Sequence, residues 1–227
     1  MRFEALIAKT LAMFAELSCE PLRLPENMAH IERKEVDGVL VMSTQFFAVG
    51  DKGELRLVHI CAPKINVVTL FFFPKAHWQL PVYCMELVIF NEQPIVALLD
   101  SVCLVPMICT ERVRQWLSGA HQANPHLQQA IDTPEWFAQC RSQQDFFLRP
   151  DSHAEMDALI AVHLQLLEPF KQLLQQAQRF SEHNALAHHD CLLDYKNHHR
   201  IHAPGWRLIK RSFGEQWANS YMSYFFH

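Results

Sequence analysis

Two ionisable side chains lie within apolar stretches of the sequence, where burial can shift a pKa towards neutral pH. Glu86 interrupts the run Val82–Phe90, and His59 lies between Val58 and Ile60. A carboxyl group buried without a cation has a raised pKa, because desolvation disfavours the anion, and it can then donate a proton near neutral pH. An imidazole titrates near neutrality and can relay protons. The alternatives are a carboxylate at an exposed sheet edge and a histidine held by a structural hydrogen bond.

Histidines cluster in the C-terminal part of the chain. His198 and His202 are four residues apart, and His188 and His189 precede them. The sequence contains no HExxH motif, and Pro204 disfavours a regular helix through 198–202. We therefore expect no metal site.

The segment from residue 196 to residue 211 is basic and contains no carboxylate. Its cations are Lys196, Arg200, Arg207, Lys210 and Arg211. A solvated basic face is one explanation, and a surface that binds anions is the other. The whole chain has a formal net charge of −4. A general affinity for nucleic acid is therefore not expected.

Cysteine usage and hydropathy favour a cytoplasmic protein. The seven cysteines are scattered and form no CxxC pair, which argues for a reducing compartment. The longest apolar runs, such as Val67–Phe73, are far shorter than the roughly 20 residues that span a bilayer. Charges interrupt the apolar stripe of Met1–Cys19, so we interpret it as an amphipathic helix rather than a signal peptide. We expect no membrane partner.

Hydrophobic periodicity predicts one helix, then a sheet, then several helices. Helical spacing covers Phe3–Leu17. Five short runs separated by turn residues and prolines indicate an antiparallel meander: Val39–Met42, Leu55–Cys61, Ile65–Phe73, Val82–Phe90 and Ile95–Leu99. Helical patterns then cover Glu111–Ala120, Pro125–Ile131, Glu135–Gln144, His153 to about Gln178, and Pro204–Phe225. This order predicts an α+β fold in a single domain over residues 1–227, with helices covering the sheet.

Several short motifs, in order along nearly the whole chain, resemble those of the ferredoxin-dependent bilin reductases, and most closely the phycocyanobilin-forming branch. They are Leu24-Pro25-Glu26, Arg56-x-x-His59, Phe73-Pro74, Leu80-Pro81, Asp100, Phe147-Leu148-Arg149-Pro150, Phe213-Gly214-Glu215, Trp217-Ala218 and Tyr221-Met222-Ser223. The resemblance implies a three-layer α/β/α sandwich around a central antiparallel β-sheet, with a linear tetrapyrrole between the sheet and the C-terminal helices. It also implies that no redox cofactor is bound: reduced ferredoxin supplies single electrons and the enzyme supplies protons.

The chain departs from that family at the positions of the proton donors. Glu86 stands where the family usually has Asp, and Thr69 where the phycocyanobilin branch has His. Cys61 replaces a Glu of that branch, and His202-Ala203 replaces an Asn-Asp pair. The resemblance therefore carries over the scaffold but leaves the substrate and the reduced double bond open.

The resemblance implies a role for each candidate residue. Catalytic roles in proton transfer fall to Glu86, His59 and His202; substrate contacts to Arg56, Thr69, Cys61 and Arg207; and ferredoxin contacts to Lys196, Arg200, Lys210 and Arg211. The basic segment can alternatively hold the propionates of the tetrapyrrole. Side chains alternate along a strand, so His59 shares a side with Cys61, and that side is expected to face the ligand.

Three functions are compatible with these residues. The first is ferredoxin-dependent reduction of biliverdin or a related open-chain tetrapyrrole. The second is a non-catalytic tetrapyrrole carrier or sensor, which the changed acid positions favour. The third is an enzyme that acts on an unrelated ligand within the same sandwich.

Overall fold

The computed structural model describes residues 2–127 and 132–227. In this part of the chain eight antiparallel strands form one sheet, in the order β1-β3-β4-β5-β6-β7-β8, and β2 pairs with β3 as well. The strands are β1 (Cys19–Leu22), β2 (His30–Glu35), β3 (Gly38–Val49), β4 (Gly53–Ala62), β5 (Ile65–Pro74), β6 (Val82–Phe90), β7 (Gln93–Val102) and β8 (Phe146–Leu148). The five predicted strands correspond to β3–β7, and β1, β2 and β8 are additional.

Helices cover both faces of the sheet and give the predicted three layers. They are α1 (Arg2–Ala15), α2 (Glu26–Ala29), α3 (Thr110–Ala123), α4 (Glu135–Ala138), α5 (His153–Gln175), α6 (Glu182–His202), α7 (Gly205–Phe213) and α8 (Glu215–Phe226), with a 3-10 turn at Pro125–Leu127. The first layer is formed by α1, α3 and α5, and the second by α6, α7 and α8. In the described residues no helix is long and apolar enough to cross a membrane.

The central strand β5 is apolar at nearly every position and does not alternate between apolar and polar residues. Val68, Leu70 and Phe72 pack against the first helical layer. Val67 and Phe71 pack against the second. Because both faces of the strand are buried, nearly every position is apolar, as in sheets that are covered on both sides.

A buried polar chain joins the first layer to the sheet. The Oγ1 of Thr10 on α1 lies 3.0 Å from Nε2 of His163 on α5, and the hydroxyl of Tyr83 on β6 lies 2.7 Å from Nδ1 of the same ring. Burial lowers the pKa of His163 to about 3. The ring is therefore neutral and can donate from one nitrogen while it accepts at the other.

Three helix predictions need correction. Helix α6 continues to His202 although Pro204 follows, because the restriction before proline acts on Ala203, which is extended with φ −59° and ψ 129°. The predicted helix over 204–225 is two helices that break at Gly214, where φ is +88°. The predicted helix over 135–144 ends at Ala138.

One further helix prediction, over 125–131, is covered only in part. Residues 125–127 form the 3-10 turn. The remainder of that prediction lies outside the described residues.

Gly53 provides a test of the close packing at the start of β4. A Cβ atom at this position would lie 2.3 Å from the main-chain oxygen of Phe73 and 2.9 Å from Cα of Pro74. We expect Gly53→Ala to lower the free energy of unfolding by about 2 to 3 kcal/mol, since backbone atoms must move. Chemical denaturation measures this change. The control is Gly119→Ala in α3, where nothing outside the local helix backbone lies within 4 Å of the added methyl group, and it is expected to stabilise by about 0.5 to 1 kcal/mol. Equal effects of the two variants would contradict the packing argument.

Candidate functional site

A cavity of about 390 Å³ lies between the sheet and the second helical layer. Its floor is formed by the second-layer sides of β4–β7, including Val58, Thr69 and Glu86. Helices α6–α8 form its roof, and Trp136 and Phe147 form a side wall. Most of the lining is aliphatic or aromatic, which suits a large apolar ligand.

Glu86 is the one carboxylate among the described residues that line this cavity. It is half-buried on β6, directly across from Thr69 on β5. Burial raises its pKa to about 6, and a hydrogen bond from the Thr69 hydroxyl opposes part of that rise. A carboxyl group with this pKa keeps a larger protonated fraction near neutral pH than an ordinary glutamate does, so it can act as a general acid.

His199 on α6 also lines the cavity, and the sequence analysis did not select it. The ring is 4% exposed. Its Nδ1 lies 3.1 Å from the main-chain oxygen of Tyr195, and Nε2 lies 3.8 Å from the Cys140 thiol. Burial lowers the pKa of His199 to about 4. The neutral ring therefore donates from Nδ1 and presents Nε2 as an acceptor.

A buried polar cluster behind the cavity fixes the side wall. Asp100 on β7 has no exposed surface. It accepts hydrogen bonds from the Ser101 amide at 2.7 Å, from the Ser142 amide at 2.9 Å, and from the Ser142 hydroxyl. Burial and the nearby Asp145 charge raise its pKa to about 7. These bonds tie the segment between α4 and β8 to the sheet, and that segment follows Trp136.

His59 and Cys61 lie on the opposite side of the sheet from the cavity, so the side that was expected to face the ligand does not face this cavity. Val58 and Ile60 of β4 line the cavity, and the residues between them point to the first layer. His59 Nε2 lies 3.0 Å from Oδ1 of Asn66. Cys61 is exposed near the end of the strand.

His202 and Arg207 are exposed and do not line the cavity. The ring of His202 packs against that of His198, with centroids 4.7 Å apart. Arg56 is on the cavity side of β4 but pairs with Glu54, at 2.6 Å between Nη2 and Oε2. Thr69 and Glu86 are therefore the only predicted catalytic or substrate-binding residues that line the cavity. In the described residues no cluster of metal ligands is present.

The basic segment is divided between the interior and the surface. Lys196 is buried, and Lys210 pairs with Glu215 at 2.8 Å. Arg200 is half-buried at the end of α6, while Arg207 and Arg211 are exposed on α7. Lys196 was predicted to belong to a docking surface, but the structure places its side chain in the interior.

Comparison with known proteins identifies a family. The sequence profile described as "Ferredoxin-dependent bilin reductase" matches residues 7–227. A phycocyanobilin:ferredoxin oxidoreductase from Trichodesmium erythraeum (strain IMS101) is 22% identical over 215 residues, covering 91% of this chain and 84% of that protein. The crystal structure of tomato phytochromobilin synthase in complex with biliverdin superimposes with a TM-score of 0.86 at 14% identity, covering 100% of this chain and 83% of that one. The last comparison shows a shared fold.

The raised pKa of Glu86 predicts a pH-dependent cost in stability. A carboxyl group with a pKa of about 6 in the folded state and an ordinary value in the unfolded state favours folding at low pH. That advantage is fully present below about pH 4 and is lost as the pH rises through about 6. At pH 8, Glu86→Gln should therefore raise the free energy of unfolding by about 1 to 2 kcal/mol, and at pH 4 it should change little. Urea denaturation at both pH values measures this. Glu20→Gln on exposed β1 is the control, and an equal response of both variants would contradict the prediction.

Proposed function

Because the chain belongs to the ferredoxin-dependent bilin reductase family, we propose that it reduces biliverdin or a related open-chain tetrapyrrole in the cavity beneath α6–α8. The main support for this proposal is a single carboxyl group, that of Glu86. It lies in a largely apolar cavity wall, and burial raises its pKa to about 6. The family is ferredoxin-dependent, so reduced ferredoxin is the proposed electron donor. The proposed chemistry requires no bound cofactor.

The lining of the cavity supports a planar, conjugated ligand. The aromatic rings of Phe71, Trp136 and Phe225 face it from three sides, and such rings pack well against an extended π-system. Among the other lining groups, Nε2 of His199 is an acceptor. A tetrapyrrole carries pyrrole N–H donors, so we assign His199 the role of orienting the ligand by accepting one of them.

Glu86 is the proposed proton donor. Reduction of one carbon–carbon double bond consumes two electrons and two protons, and each added electron makes the tetrapyrrole more basic. A bound ligand displaces water from around Glu86, so desolvation raises the pKa of the carboxyl further and keeps it protonated until the electron arrives. The hydroxyl of Thr69 holds the carboxyl on the cavity side.

The second proton requires that Glu86 be protonated again from solvent. His59 faces the first helical layer, and His202 is exposed outside the cavity. His199 has its pKa lowered to about 4, so its protonated form is scarce near neutral pH. These positions argue against a histidine relay and favour a single carboxyl group that is used twice.

Glu86→Gln tests the proposed chemistry. The amide keeps the size and the hydrogen bond with Thr69 but cannot act as an acid. We expect biliverdin binding within a factor of two of the parent, followed by turnover about 10²-fold slower with reduced ferredoxin. Absorption spectroscopy under anaerobic conditions follows both steps.

The matched control for this experiment is His59→Gln, on the other side of the same sheet, which should retain the rate of the parent. Parental turnover in Glu86→Gln would remove this carboxyl from the mechanism. If the parent binds biliverdin and never reduces it, the chain is a carrier or a sensor.

The exposed cations of α7 are the proposed contact for ferredoxin. Arg207 and Arg211 are four residues apart on an exposed face, directly above the cavity roof. Attraction between exposed charges is screened over about 8 Å at physiological salt. The second-order rate of reduction should therefore fall as ionic strength rises, and the double variant Arg207→Glu, Arg211→Glu should be slow already at low salt.

Lys9→Glu, on the exposed face of α1 in the opposite layer, is the control for this charge reversal. Biliverdin affinity should stay constant in both proteins. If charge reversal on α7 leaves the salt dependence of the rate unchanged, ferredoxin docks elsewhere.

A further inference from the structure

A second cavity, of about 380 Å³, lies on the same side of the sheet as the first. Its walls come from β4, the segment after β5, and α6, with Arg56, Phe73, Lys75, His77, Leu193 and Lys196 among the lining residues. The rings of Phe73 and Phe226 are 6.2 Å apart, and Phe226 lines the first cavity. This aromatic pair separates the two cavities.

Arg56 is enclosed in the wall of the second cavity and is compensated there. Its side chain is 6% exposed. Nε and Nη2 donate to Oε2 of Glu54, at 3.0 and 2.6 Å, and Nη1 donates to the main-chain oxygen of Phe225. The guanidinium charge is therefore balanced by the carboxylate of Glu54.

Lys196 is the second buried cation of the same cavity, and no side-chain ion pair within the described residues holds it. It is 9% exposed. Its Nζ donates to the main-chain oxygen of His227 at 3.0 Å and lies 4.7 Å from the centroid of the Phe73 ring. Within residues 2–127 and 132–227 no side-chain carboxylate lies within ion-pair distance of this ammonium group. Burial and the charge of Arg56 lower the pKa of Lys196 to about 8, and the carboxylate of Glu54 opposes part of that fall. The group is therefore still mostly charged at neutral pH.

A buried ammonium group that forms no side-chain ion pair is unfavourable, because a more distant carboxylate repays only part of the desolvation cost. Lys196 uses one of its three N–H donors on the main chain. The others are free to bind a group in the cavity. Among the described residues that line this cavity, Glu54 is the one carboxylate side chain, and it pairs with Arg56. Lys75 and His77 at the rim add donors. Charge and donor number therefore favour an anion with several acceptor oxygens.

We propose that the second cavity binds the carboxylate or phosphate group of a small molecule, with Lys196 as the principal counter-ion. This site is separate from the cavity assigned to the tetrapyrrole. The oxyanion has two potential sources: a free metabolite that enters from solvent, or a propionate of a tetrapyrrole that extends past the aromatic partition.

Inorganic phosphate is the probe for this site. Isothermal titration calorimetry of the full chain at pH 7, with chloride balancing the ionic strength, should show saturable binding. Lys196→Met should weaken that binding by about 10-fold or more, the effect of losing a charged hydrogen-bond partner. The matched control Lys210→Met removes an exposed cation and should bind phosphate like the parent.

A second variant keeps the proposal testable if Lys196→Met does not fold. Leu193 lines the cavity and is 41% exposed, so Leu193→Glu introduces a competing carboxylate with little loss of packing. It should also abolish phosphate binding. The proposal is overturned if the parent shows no saturable binding above the chloride control, or if both cavity variants bind as the parent does.

The two sources are separated by adding pigment. If the oxyanion is a propionate, phosphate should compete with biliverdin but not with biliverdin dimethyl ester. If the oxyanion is a free metabolite, phosphate should bind equally well with either pigment present, and malonate should compete with phosphate. Both results support the site and assign its source. The phosphate titration itself needs no pigment, so it stands even if the tetrapyrrole proposal fails.

Discussion

The covering of the sheet on both faces is the constraint on which the rest of the structure depends. A strand such as β5 has no solvent-facing side, so each polar side chain on the central strands must find a partner or face a cavity. Glu86 faces the first cavity beside Thr69, Asp100 accepts from Ser142, and Arg56 pairs with Glu54. All of these groups lie on the second-layer side. The first-layer side is largely an apolar core, crossed by the polar chain at His163. One face of the sheet therefore mainly supports the fold, and the other holds the cavity of the proposed site.

This constraint also explains what the sequence could predict. Glu86 was recognisable because a carboxylate is conspicuous in an otherwise apolar strand, but the pattern alone left a cavity wall and an exposed sheet edge as alternatives. The positions of β4–β7 were predictable because Gly53 and the prolines between the runs mark the turns, although β4 and β7 extend beyond their predicted ends. The order of one helix, a run of strands and further helices predicted that helices cover the sheet, and the family resemblance implied three layers.

The face on which His59 lies could not be predicted from the sequence. Alternation fixes its side relative to Leu57 and Cys61 but not relative to the cavity. Val58 pairs with Thr69, and both line the cavity, so the neighbouring His59 faces away from it. This register depends on two strands, and the sequence of one strand does not contain it. Helix α6 was missed for a different reason. It is rich in histidine and lacks a clear apolar stripe, because it borders two cavities instead of a continuous core.

The first cavity and the second cavity have adjacent walls, so a residue between them affects the shape of both. On β5, Phe71 lines the first cavity and Phe73 the second, and their rings stack with centroids 5.1 Å apart. On α6, His199 faces the first cavity and Lys196, one turn earlier, faces the second. Close-packed side chains transmit a change in volume to their neighbours, and the effects of substitutions in contact are not additive. A substitution that reshapes one cavity through these shared walls therefore changes the other as well. Its effect on pigment affinity can be interpreted only when its effect on the second cavity is also measured.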